Sequence, residues 1–396
     1  MGCMGLSGTG GASGPDSDGT RHDMAQTVLI TGGAGFIGSH LAQRLLAAGH
    51  RVRALDNLAE QVHGPDAGRP EHLHEQVELI RGDVLEPDDL RRALAGVDAV
   101  CHLAALVGVG QSMYRMGAYT RVNQLGTARL LEAIVERGGV GRLVVASSMS
   151  VYGEGLYVDE RGRPATGATR QLEALRRGQF EPVDDRGRPL RPMPTPEDKP
   201  TELASVYALS KYAQERLALI TGQAYGIPTV ALRFFNVYGP HQALSNPYTG
   251  VLAIFASRLL NGRPPIVYED GRQMRDFVSV HDVARACELA LQAEGAPGQV
   301  INVGSGQPRT VREVAAALAS MLGRDEVGAE VSGRYRVGDV RHCFADIARA
   351  RRVLGFEPAV SFEAGLEELG AWVARQGAQD RVEQAHGELD ARGLTV

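Results

Sequence analysis

A tyrosine and a lysine four residues apart are the side chains of this sequence best suited to proton chemistry. They occur in Tyr207-Ala-Leu-Ser-Lys211, and residues at this spacing share one face of a helix. A free tyrosine has a pKa near ~10 and is a poor base at neutral pH. A neighbouring ammonium group would favour the phenolate, so Tyr207 could then remove a proton from an alcohol.

A serine-rich segment, Ala146-Ser-Ser-Met-Ser-Val-Tyr-Gly153, follows a run that predicts a buried strand. Open α/β sheets bind ligands at the carboxyl ends of their strands, so a hydroxyl here can bridge a substrate and Tyr207. Tyr-x-x-x-Lys alone is common by chance on exposed helix faces. Its occurrence with this segment and an upstream glycine-rich turn, in chain order, favours a catalytic role.

The glycine-rich turn is Thr31-Gly-Gly-Ala-Gly-Phe-Ile-Gly38, with the spacing G-x-x-G-x-x-G at Gly32, Gly35 and Gly38. Glycines let the backbone approach a pyrophosphate, and a helix N-terminus supplies free N–H groups and the positive end of its dipole. The alternative interpretation is a tight strand–helix turn that binds nothing.

An acidic residue after the second predicted strand favours a dinucleotide site. Asp56 lies 24 residues after Gly32, where a carboxylate can accept hydrogen bonds from both ribose hydroxyls of NAD. It would repel the 2′-phosphate of NADP, and Asn57 rather than an arginine follows it, so we expect NAD. Asp83, after the third predicted strand, could contact the adenine edge or serve only as a turn residue.

Strand and helix patterns alternate from Gln26 onward. Short β-branched and apolar runs predict strands, and apolar spacings of three and four residues predict helices. The predicted strands are Thr27–Thr31, Arg51–Leu55, Val77–Arg81, Ala99–Leu103, Arg142–Ala146, Thr229–Arg233 and Val300–Val303, and the clearest predicted helices are Phe36–Ala48, Asp88–Ala95 and Thr120–Arg137. The alternation predicts an α/β fold, a Rossmann-type doubly wound parallel sheet with a smaller C-terminal lobe.

The predicted segments differ in composition and pattern. They are a disordered segment 1–24, a dinucleotide-binding domain 25–235, a lobe formed mainly by 236–380 that returns to the first domain near 276–303, and a tail 381–396. Residues 154–200 form an insertion in which Val158-Asp-Glu-Arg-Gly-Arg-Pro164 is nearly repeated as Val183-Asp-Asp-Arg-Gly-Arg-Pro189. The repeat predicts two glycine-containing turns in a small pair of hairpins.

Composition argues against several classes of protein. The 396 residues are 43% hydrophobic and 22% charged with a net charge of −5, so no basic surface for nucleic acid stands out. The longest apolar runs fall short of the ~20 residues that a membrane helix needs. Four scattered cysteines and no recognisable secretory signal lead us to expect a cytoplasmic protein without a metal. The histidines of polar segments are expected to be solvent-exposed rather than ligands: His22, His63, His72, His74 and His281.

These motifs resemble those of the extended short-chain dehydrogenases/reductases, specifically the nucleotide-sugar epimerase/dehydratase family. The resemblance covers about residues 26–375 without the insertion. Besides the motifs above, it is carried by Asp56-Asn57, Gly82-Asp83-Val84, His102-Leu-Ala-Ala105, Val122-Asn-Gln-Leu-Gly-Thr127, Arg233-Phe-Phe-Asn-Val-Tyr-Gly-Pro240 and Arg275-Asp-Phe277.

The resemblance implies a role for each matching residue. Ser148 would be the catalytic serine, Tyr207 the base and acid, and Lys211 the residue that holds the nicotinamide ribose and tunes Tyr207. The NAD site would comprise Gly32, Gly35, Phe36, Ile37, Gly38, Asp56, Asn57, Asp83, Val84, Leu103, Ala104, Ala105, Asn123, Tyr207, Lys211 and Phe234. The site for a nucleotide-diphosphate sugar would comprise Ser148, Met149, Ser150, Tyr207, Asn236, Tyr268 against the base, and Arg275 and Arg336 on the phosphates.

The resemblance also bears on the reaction. Members of this family begin by oxidising C4 of the sugar, and the 4,6-dehydratases carry an acid and a base directly after the catalytic serine. Here those positions are Met149 and Ser150, and decarboxylases typically have glutamate where Ser150 stands. We therefore expect an NAD-dependent nucleotide-sugar 4-epimerase. The alternatives are a dehydrogenase, reductase or other epimerase of the same family, and a non-catalytic sensor of NAD or nucleotide sugar.

The chain resembles the dTDP-L-rhamnose and UDP-glucose 4-epimerases of this family, and residues 235–250 and Gly108-Val-Gly-Gln-Ser112 look most like the bacterial dTDP-L-rhamnose 4-epimerase type. In many of these the insertion is a cysteine zinc ribbon. Arg161 and Arg186 stand in its two turns here, so we expect a ribbon-like appendage without metal ligands. Relatives commonly dimerise through helices that correspond to about Tyr119–Arg137 and Ser205–Tyr225, whose apolar faces could also be intrachain core.

Overall fold

The structure, a computed structural model, describes residues 25–65, 67–165, 170–248, 250–377 and 380–395. Residues 1–24, for which the sequence predicts disorder, lie outside the described residues.

The strands of the described residues are two to seven residues long. They are β1 (Thr27–Thr31), β2 (Arg51–Asp56), β3 (Glu78–Arg81), β4 (Ala99–His102), β5 (Arg142–Ser148), β6 (Leu156–Val158), β7 (Pro164–Ala165), β8 (Arg191–Met193), β9 (Thr229–Phe234), β10 (Asn236–Tyr238), β11 (Ile266–Val267), β12 (Met274–Ser279), β13 (Val300–Val303), β14 (Pro308–Thr310), β15 (Glu330–Val331) and β16 (His342–Cys343).

The helices of the described residues are α1 (Phe36–Ala47), α2 (Glu60–His63), α3 (Pro87–Leu94), α4 (Val109–Ser112), α5 (Met116–Tyr119), α6 (Gly126–Arg137), α7 (Leu172–Arg176), α8 (Val206–Tyr225), α9 (Val251–Leu260), α10 (Val280–Gln292), α11 (Val311–Met321), α12 (Ala348–Leu354), α13 (Phe362–Val373) and α14 (Val382–Asp390). Thr120–Leu125 is π-helical, so the predicted helix Thr120–Arg137 is one continuous stretch of two helix types. None of these helices is both long and apolar enough to cross a membrane.

The main sheet has the strand order β13-β9-β5-β4-β1-β2-β3, and all its pairings are parallel. Its seven members correspond to the seven predicted strands, which confirms the predicted Rossmann-type fold. The chain order changes direction between β1 and β4. A crevice opens at such a point beyond the carboxyl ends of the strands, and ligands of open α/β sheets bind there.

Alternate residues of β1 supply the cores on the two faces of this sheet. Ile30 belongs to a cluster with Leu41 of α1, whereas its neighbour Leu29 belongs to a cluster with Leu90 of α3 on the opposite face. Side chains alternate across a strand, so a strand covered on both faces must be apolar throughout. This explains the apolar run Val28–Ile30 at the centre of β1, whose five residues are all buried.

A second lobe covers the carboxyl edge of the sheet. It contains the small sheet β10-β12-β14, with β16 paired to β12, and a core shared by α9, α11 and α13. The insertion forms the antiparallel sheet β7-β6-β8. Both predicted turns are present: the carboxylates of Asp159 and Asp184 each accept two backbone N–H groups, and Gly162 and Gly187 each have φ of +75°.

Four histidine rings meet where α1 approaches the second lobe. His72 stacks on His241 at 4.7 Å, and His40 lies 5.1 Å from His281 and 5.4 Å from His241, all between ring centroids. His72, which was predicted to be solvent-exposed, is half-buried, and its Nε2 also meets the Ala34 carbonyl at 3.1 Å. Within the described residues, no three His, Cys, Asp or Glu side chains are placed to hold a metal ion.

We predict that this cluster makes the protein less stable in mild acid. Burial lowers the pKa of His40 to about 4, from an ordinary value of 6.5. Between these pH values the unfolded chain binds a proton that the folded chain does not, so stability falls as the pH falls from 6.5 toward 4. Urea unfolding of His40→Gln should show a shallower pH slope across this window than the wild type. His74→Gln, at an exposed position, should keep the wild-type slope; equal slopes in all three proteins would contradict the prediction.

Candidate active site

A cavity of about 610 Å³ opens at the carboxyl edge of the main sheet. Nearly all the predicted cofactor and substrate residues converge on it from separate parts of the chain. Those that line it are Gly32, Gly35, Phe36, Ile37, Gly38, Asp56, Asn57, Asp83, Val84, Leu103, Ala104, Ala105, Ser148, Met149, Ser150, Tyr207, Lys211, Phe234, Asn236, Tyr268, Arg275 and Arg336.

Asn123 is the predicted site residue that lies behind the cavity wall. Its buried amide donates to the Leu106 carbonyl at 3.0 Å and to Ser210 Oγ at 2.9 Å, and its Oδ1 accepts the Leu106 N–H at 2.7 Å. Asn123 therefore holds the backbone of a cavity-lining loop against α8.

The glycines of the first turn serve two purposes. A Cβ on Gly38 would lie 2.3 Å from the Gly32 carbonyl oxygen, so Gly38 is required by the close approach of α1 to the turn. A Cβ on Gly35 would approach only that same oxygen, at 3.4 Å, and Gly35 has an ordinary φ of −76°. The fold itself tolerates a side chain at Gly35, but the cavity it borders would be narrowed.

The N-terminus of α1 suits a pyrophosphate. No side chain caps it, and its first turn contains no acidic residue. The carboxylate of Asp56 lies next to it, accepting the Ala34 N–H at 3.0 Å and the Leu58 N–H at 2.9 Å. Each oxygen keeps a lone pair for a ribose hydroxyl. These residues fit the adenosine and pyrophosphate portions of a dinucleotide.

Asn57, Asp83 and His63 complete this end of the cavity. Asn57 Nδ2 donates to Asp83 Oδ2 at 3.0 Å, so Asp83 orients the side chain that follows Asp56. His63 was predicted to be exposed, and that was wrong: its side chain is 7% exposed, and its Nε2 lies 3.8 Å from Asp56 Oδ1. Burial lowers the pKa of His63, so the ring is neutral at pH 7 and leaves the charge of Asp56 uncompensated.

Helix α8 carries the tyrosine and the lysine. Ser205 caps its N-terminus by accepting the Ala208 N–H at 3.1 Å, and Ser112 accepts the Tyr207 N–H at 2.9 Å. The ring of Tyr207 meets the edge of Tyr119 with 6.3 Å between centroids. Burial raises the pKa of Tyr207, and a hydrogen bond from Ser148 opposes this increase.

Lys211 is buried one turn along α8. Its Nζ donates to Gln214 Oε1 at 2.7 Å. Burial lowers its pKa to about 7, and the negative charge of Glu215 opposes the decrease. Burial thus disfavours both a phenolate at Tyr207 and an ammonium at Lys211. Residues four apart share one face of a helix, so an ammonium at Lys211 would favour a phenolate at Tyr207.

Ser148 ends β5 and faces α8 across the cavity. Its Oγ accepts the Ser150 N–H at 3.2 Å and lies 3.0 Å from Ser150 Oγ. These contacts hold the serine hydroxyl at the start of a 3-10 turn that also places Met149 on the cavity wall.

The substrate end contains buried polar atoms that lack a partner. Asn236 Oδ1, Gln242 Oε1 and Gln273 Oε1 make no hydrogen bond within the described part of the chain, and all three residues line the cavity. Buried acceptors are rarely left unpaired, so these three acceptors point to a polar ligand with hydroxyl or amide donors.

Two arginines lie at the same end. Arg336 donates to the carboxylate of Asp339 at 2.8 and 3.0 Å, with its guanidinium 5.4 Å from the centre of the Tyr268 ring. Arg275 donates to the carbonyls of Met274 and Arg341, both at 2.9 Å. Each arginine has five N–H donors, so both retain donors for an anion in the cavity.

His63, Gln273 and His386 line the cavity but belong to no motif recognised in the sequence. His386 belongs to α14, in the segment predicted as a tail, and its Nε2 lies 3.0 Å from Tyr268 Oη. The spacing of Val382, Ala385 and Leu389 was a weak helical signal. Sequence alone did not indicate that this helix lies against the cavity.

This fold and this geometry define a dinucleotide-dependent enzyme: a doubly wound sheet with an uncapped helix at its first turn, and a tyrosine–lysine pair facing the same cavity. Residues 28–174 and 184–304 match the NAD dependent epimerase/dehydratase family. The chain belongs to this family and its cofactor is NAD, which confirms the predicted family and cofactor.

Similar proteins catalyse more than one reaction. The dTDP-L-rhamnose 4-epimerase of Burkholderia thailandensis is 38% identical, and the match covers 88% of this chain and 95% of that protein. The UDP-N-acetyl-alpha-D-glucosaminuronate decarboxylase of Bacillus cytotoxicus is 30% identical, with coverages of 88% and 98%. The structure of Thermus thermophilus UDP-glucose 4-epimerase in complex with NAD is similar with a TM-score of 0.68 and 34% identity, covering 89% of this chain and 100% of that one.

We predict that Gly35→Ala weakens NAD binding and leaves the stability of the fold unchanged. The new methyl group would meet little of the protein but would occupy the approach to the N-terminus of α1. The Tm of the variant should lie within about 2 °C of the wild-type Tm. Its Kd for NAD, measured by titration, should be at least about ten-fold higher. The matched control is Gly117→Ala, where a Cβ would meet nothing within 4 Å and which should change neither property. Unaltered NAD affinity in Gly35→Ala would exclude this turn as the pyrophosphate site.

Proposed function

We propose that this protein is a nucleotide-sugar 4-epimerase that inverts C4 through a transient ketone. Its substrate would be a sugar linked to a nucleoside diphosphate. The unpartnered acceptors Asn236 and Gln273, together with Arg336, support a polar, anionic ligand at the far end of the cavity. The similarity to dTDP-L-rhamnose and UDP-glucose 4-epimerases supports the same substrate class.

One observation carries the choice of reaction: the serine is followed by two side chains that neither donate nor accept protons readily. Met149 and Ser150 line the cavity where a dehydratase would need an acid and a base. Among the described residues, the carboxylates lining the cavity are Asp56, Asp83 and Asp339. The first two follow β2 and β3 at the adenosine end, and Asp339 is paired with Arg336. Elimination of water therefore has no suitable carboxyl group beside Ser148.

The chain supplies the proton transfers of the proposed reaction. Tyr207 accepts the proton of the C4 hydroxyl and later returns it, while Ser148 holds that hydroxyl by a hydrogen bond. The positive charge of Lys211 stabilises the phenolate during this interval. NAD bound in this cavity would supply a reversible acceptor for the hydride of C4. The sugar would have to turn over between the two transfers while Arg275 and Arg336 hold its diphosphate.

The turnover test uses no added cofactor. Because an epimerase regenerates NAD in each cycle, the purified protein should interconvert a C4-epimeric pair from a panel of UDP- and dTDP-sugars without external NAD. We predict that Tyr207→Phe lowers kcat by at least about a thousand-fold, the upper part of the range for general acid–base catalysis, and keeps its NAD. Tyr225→Phe, at the exposed end of the same helix, should keep full activity.

Other outcomes would favour the alternatives. Net reduction of added NAD would indicate a dehydrogenase, and binding of the sugars without conversion would indicate a sensor. Wild-type turnover that survives in Tyr207→Phe would reject the proposed mechanism.

We further propose a homodimer through the helices that flank the site. Helix α8 exposes Leu209 and Ile220 at 46% and 56%, and Leu125 in the adjacent π-helical stretch is 43% exposed. Two copies of these helices could cover one another's apolar side chains. Sedimentation equilibrium tests this arrangement, and a monomer at micromolar concentration would exclude it.

A further inference from the structure

The insertion contacts the wall of the cavity through a buried network of charges. The relevant wall is the loop of residues 335–342, here called the arginine loop, which carries the cavity-lining Arg336. The insertion residues Glu154, Arg170 and Glu181 bind this loop directly.

Arg170 uses all three nitrogens of its guanidinium. Its Nε donates to Glu154 at 2.9 Å, one terminal nitrogen donates to Glu269 at 2.6 Å, and the other donates to the Asp339 carbonyl at 2.8 Å. Its guanidinium also lies 5.0 Å from the centre of the Tyr335 ring. The side chain is only 4% exposed, so these contacts are shielded from water and from salt.

The far end of the arginine loop is held in the same way. The fully buried guanidinium of Arg341 donates to Glu181 at 3.0 Å and to Glu269 and Asp270, both at 2.7 Å. Its backbone N–H meets both carboxylate oxygens of Glu154, at 2.8 and 2.9 Å. Glu154 and Glu269 thus connect Arg170 to Arg341, and the loop is fixed at both positions 339 and 341.

The residues fixed by this network include those proposed to bind the nucleotide diphosphate. Asp339, whose carbonyl accepts from Arg170, pairs through its carboxylate with Arg336. Tyr268, whose ring lies beneath Arg336, directly precedes Glu269 in the chain. A shift of Arg170 would therefore be transmitted to both the guanidinium and the aromatic ring.

We propose that the insertion positions the diphosphate side of the cavity, with Arg170 as its positioning residue. This inference rests on the proposed function for the identity of the ligand. A loop that is already ordered binds its ligand without the entropic cost of ordering its side chains. Arg170 makes no contact with the reacting groups, so its loss should weaken nucleotide binding and leave the chemical step largely unchanged.

The test compares Arg170→Lys with Arg163→Lys. Lysine keeps a positive charge beside Glu154 and Glu269, so the fold should be retained, but it cannot donate to all three acceptors of the planar guanidinium. Arg163 lies in the same insertion and pairs with Asp159 inside its own turn, 2.8 Å away. It is the matched control because it does not contact the arginine loop. Thermal melting and NAD content establish that both variants are folded.

Three measurements are made on the full-length variants with NAD bound. We expect Arg170→Lys to raise the Kd for uridine or thymidine diphosphate by about ten-fold or more, to raise KM for the epimerised sugar similarly with kcat within about two-fold, and to speed hydrogen exchange across residues 335–342. Arg163→Lys should match the wild type in all three.

The possible failures are distinguishable. Unchanged Kd or unchanged exchange in Arg170→Lys would overturn the positioning role, as would a collapse of kcat at constant KM. A wild type that binds the nucleoside diphosphate but epimerises no sugar would refute the proposed function, and the Kd and exchange measurements would still decide the role of Arg170. A wild type that binds neither diphosphate would refute both.

Discussion

A buried ion pair between Arg233 and Glu215 holds the catalytic elements together. The guanidinium donates to both carboxylate oxygens, at 2.7 and 2.9 Å, and Ser147 donates to the same carboxylate at 2.7 Å. Ser147 precedes Ser148 at the end of β5, and Glu215 lies one turn beyond Lys211 on α8. Leaving one member of such a pair without its partner costs about 3–5 kcal/mol, so β5, β9 and α8 cannot shift independently. The ion pair therefore fixes the serine and the lysine relative to each other.

A neutral chain of hydrogen bonds connects the lysine to the cofactor turn. Lys211 donates to Gln214 at 2.7 Å, Gln214 donates to Thr127 at 2.9 Å, Thr127 meets His102 at 2.8 Å, and His102 meets Thr31 at 2.7 Å. Burial lowers the pKa of His102 to about 3, with the charge of Lys211 acting in the same direction, so this ring stays neutral. The hydrogen-bonded residues between Lys211 and Thr31, the first residue of the glycine-rich turn, are therefore uncharged.

The sequence predicts what depends on local pattern and fails where contacts join distant segments. β1 and β13 were placed to the residue, because apolar runs between turn residues specify buried strands. The glycine turn and the tyrosine–lysine pair were identified from their spacing together with their order along the chain. In contrast, the contact of α14 with Tyr268 could not be predicted, because the two segments lie more than a hundred residues apart in the chain. Asn123 illustrates the same limit: its motif was recognised, but only the fold reveals that it supports a loop from behind.

The two ends of the cavity are built differently, and this bears on how one fold accommodates several reactions. The cofactor end is made by short motifs at the ends of β1, β2 and β4, so it depends on few distant contacts. The substrate end is assembled from the arginine loop, α14 and the insertion, which meet only after the chain has folded. There, the buried ion pairs of Arg170 and Arg341 join segments that are distant in the chain. A buried polar network is stable only when each of its groups has a partner, so it holds its residues in one arrangement. The network can therefore fix the shape of the substrate end without any change in the tyrosine, lysine and serine.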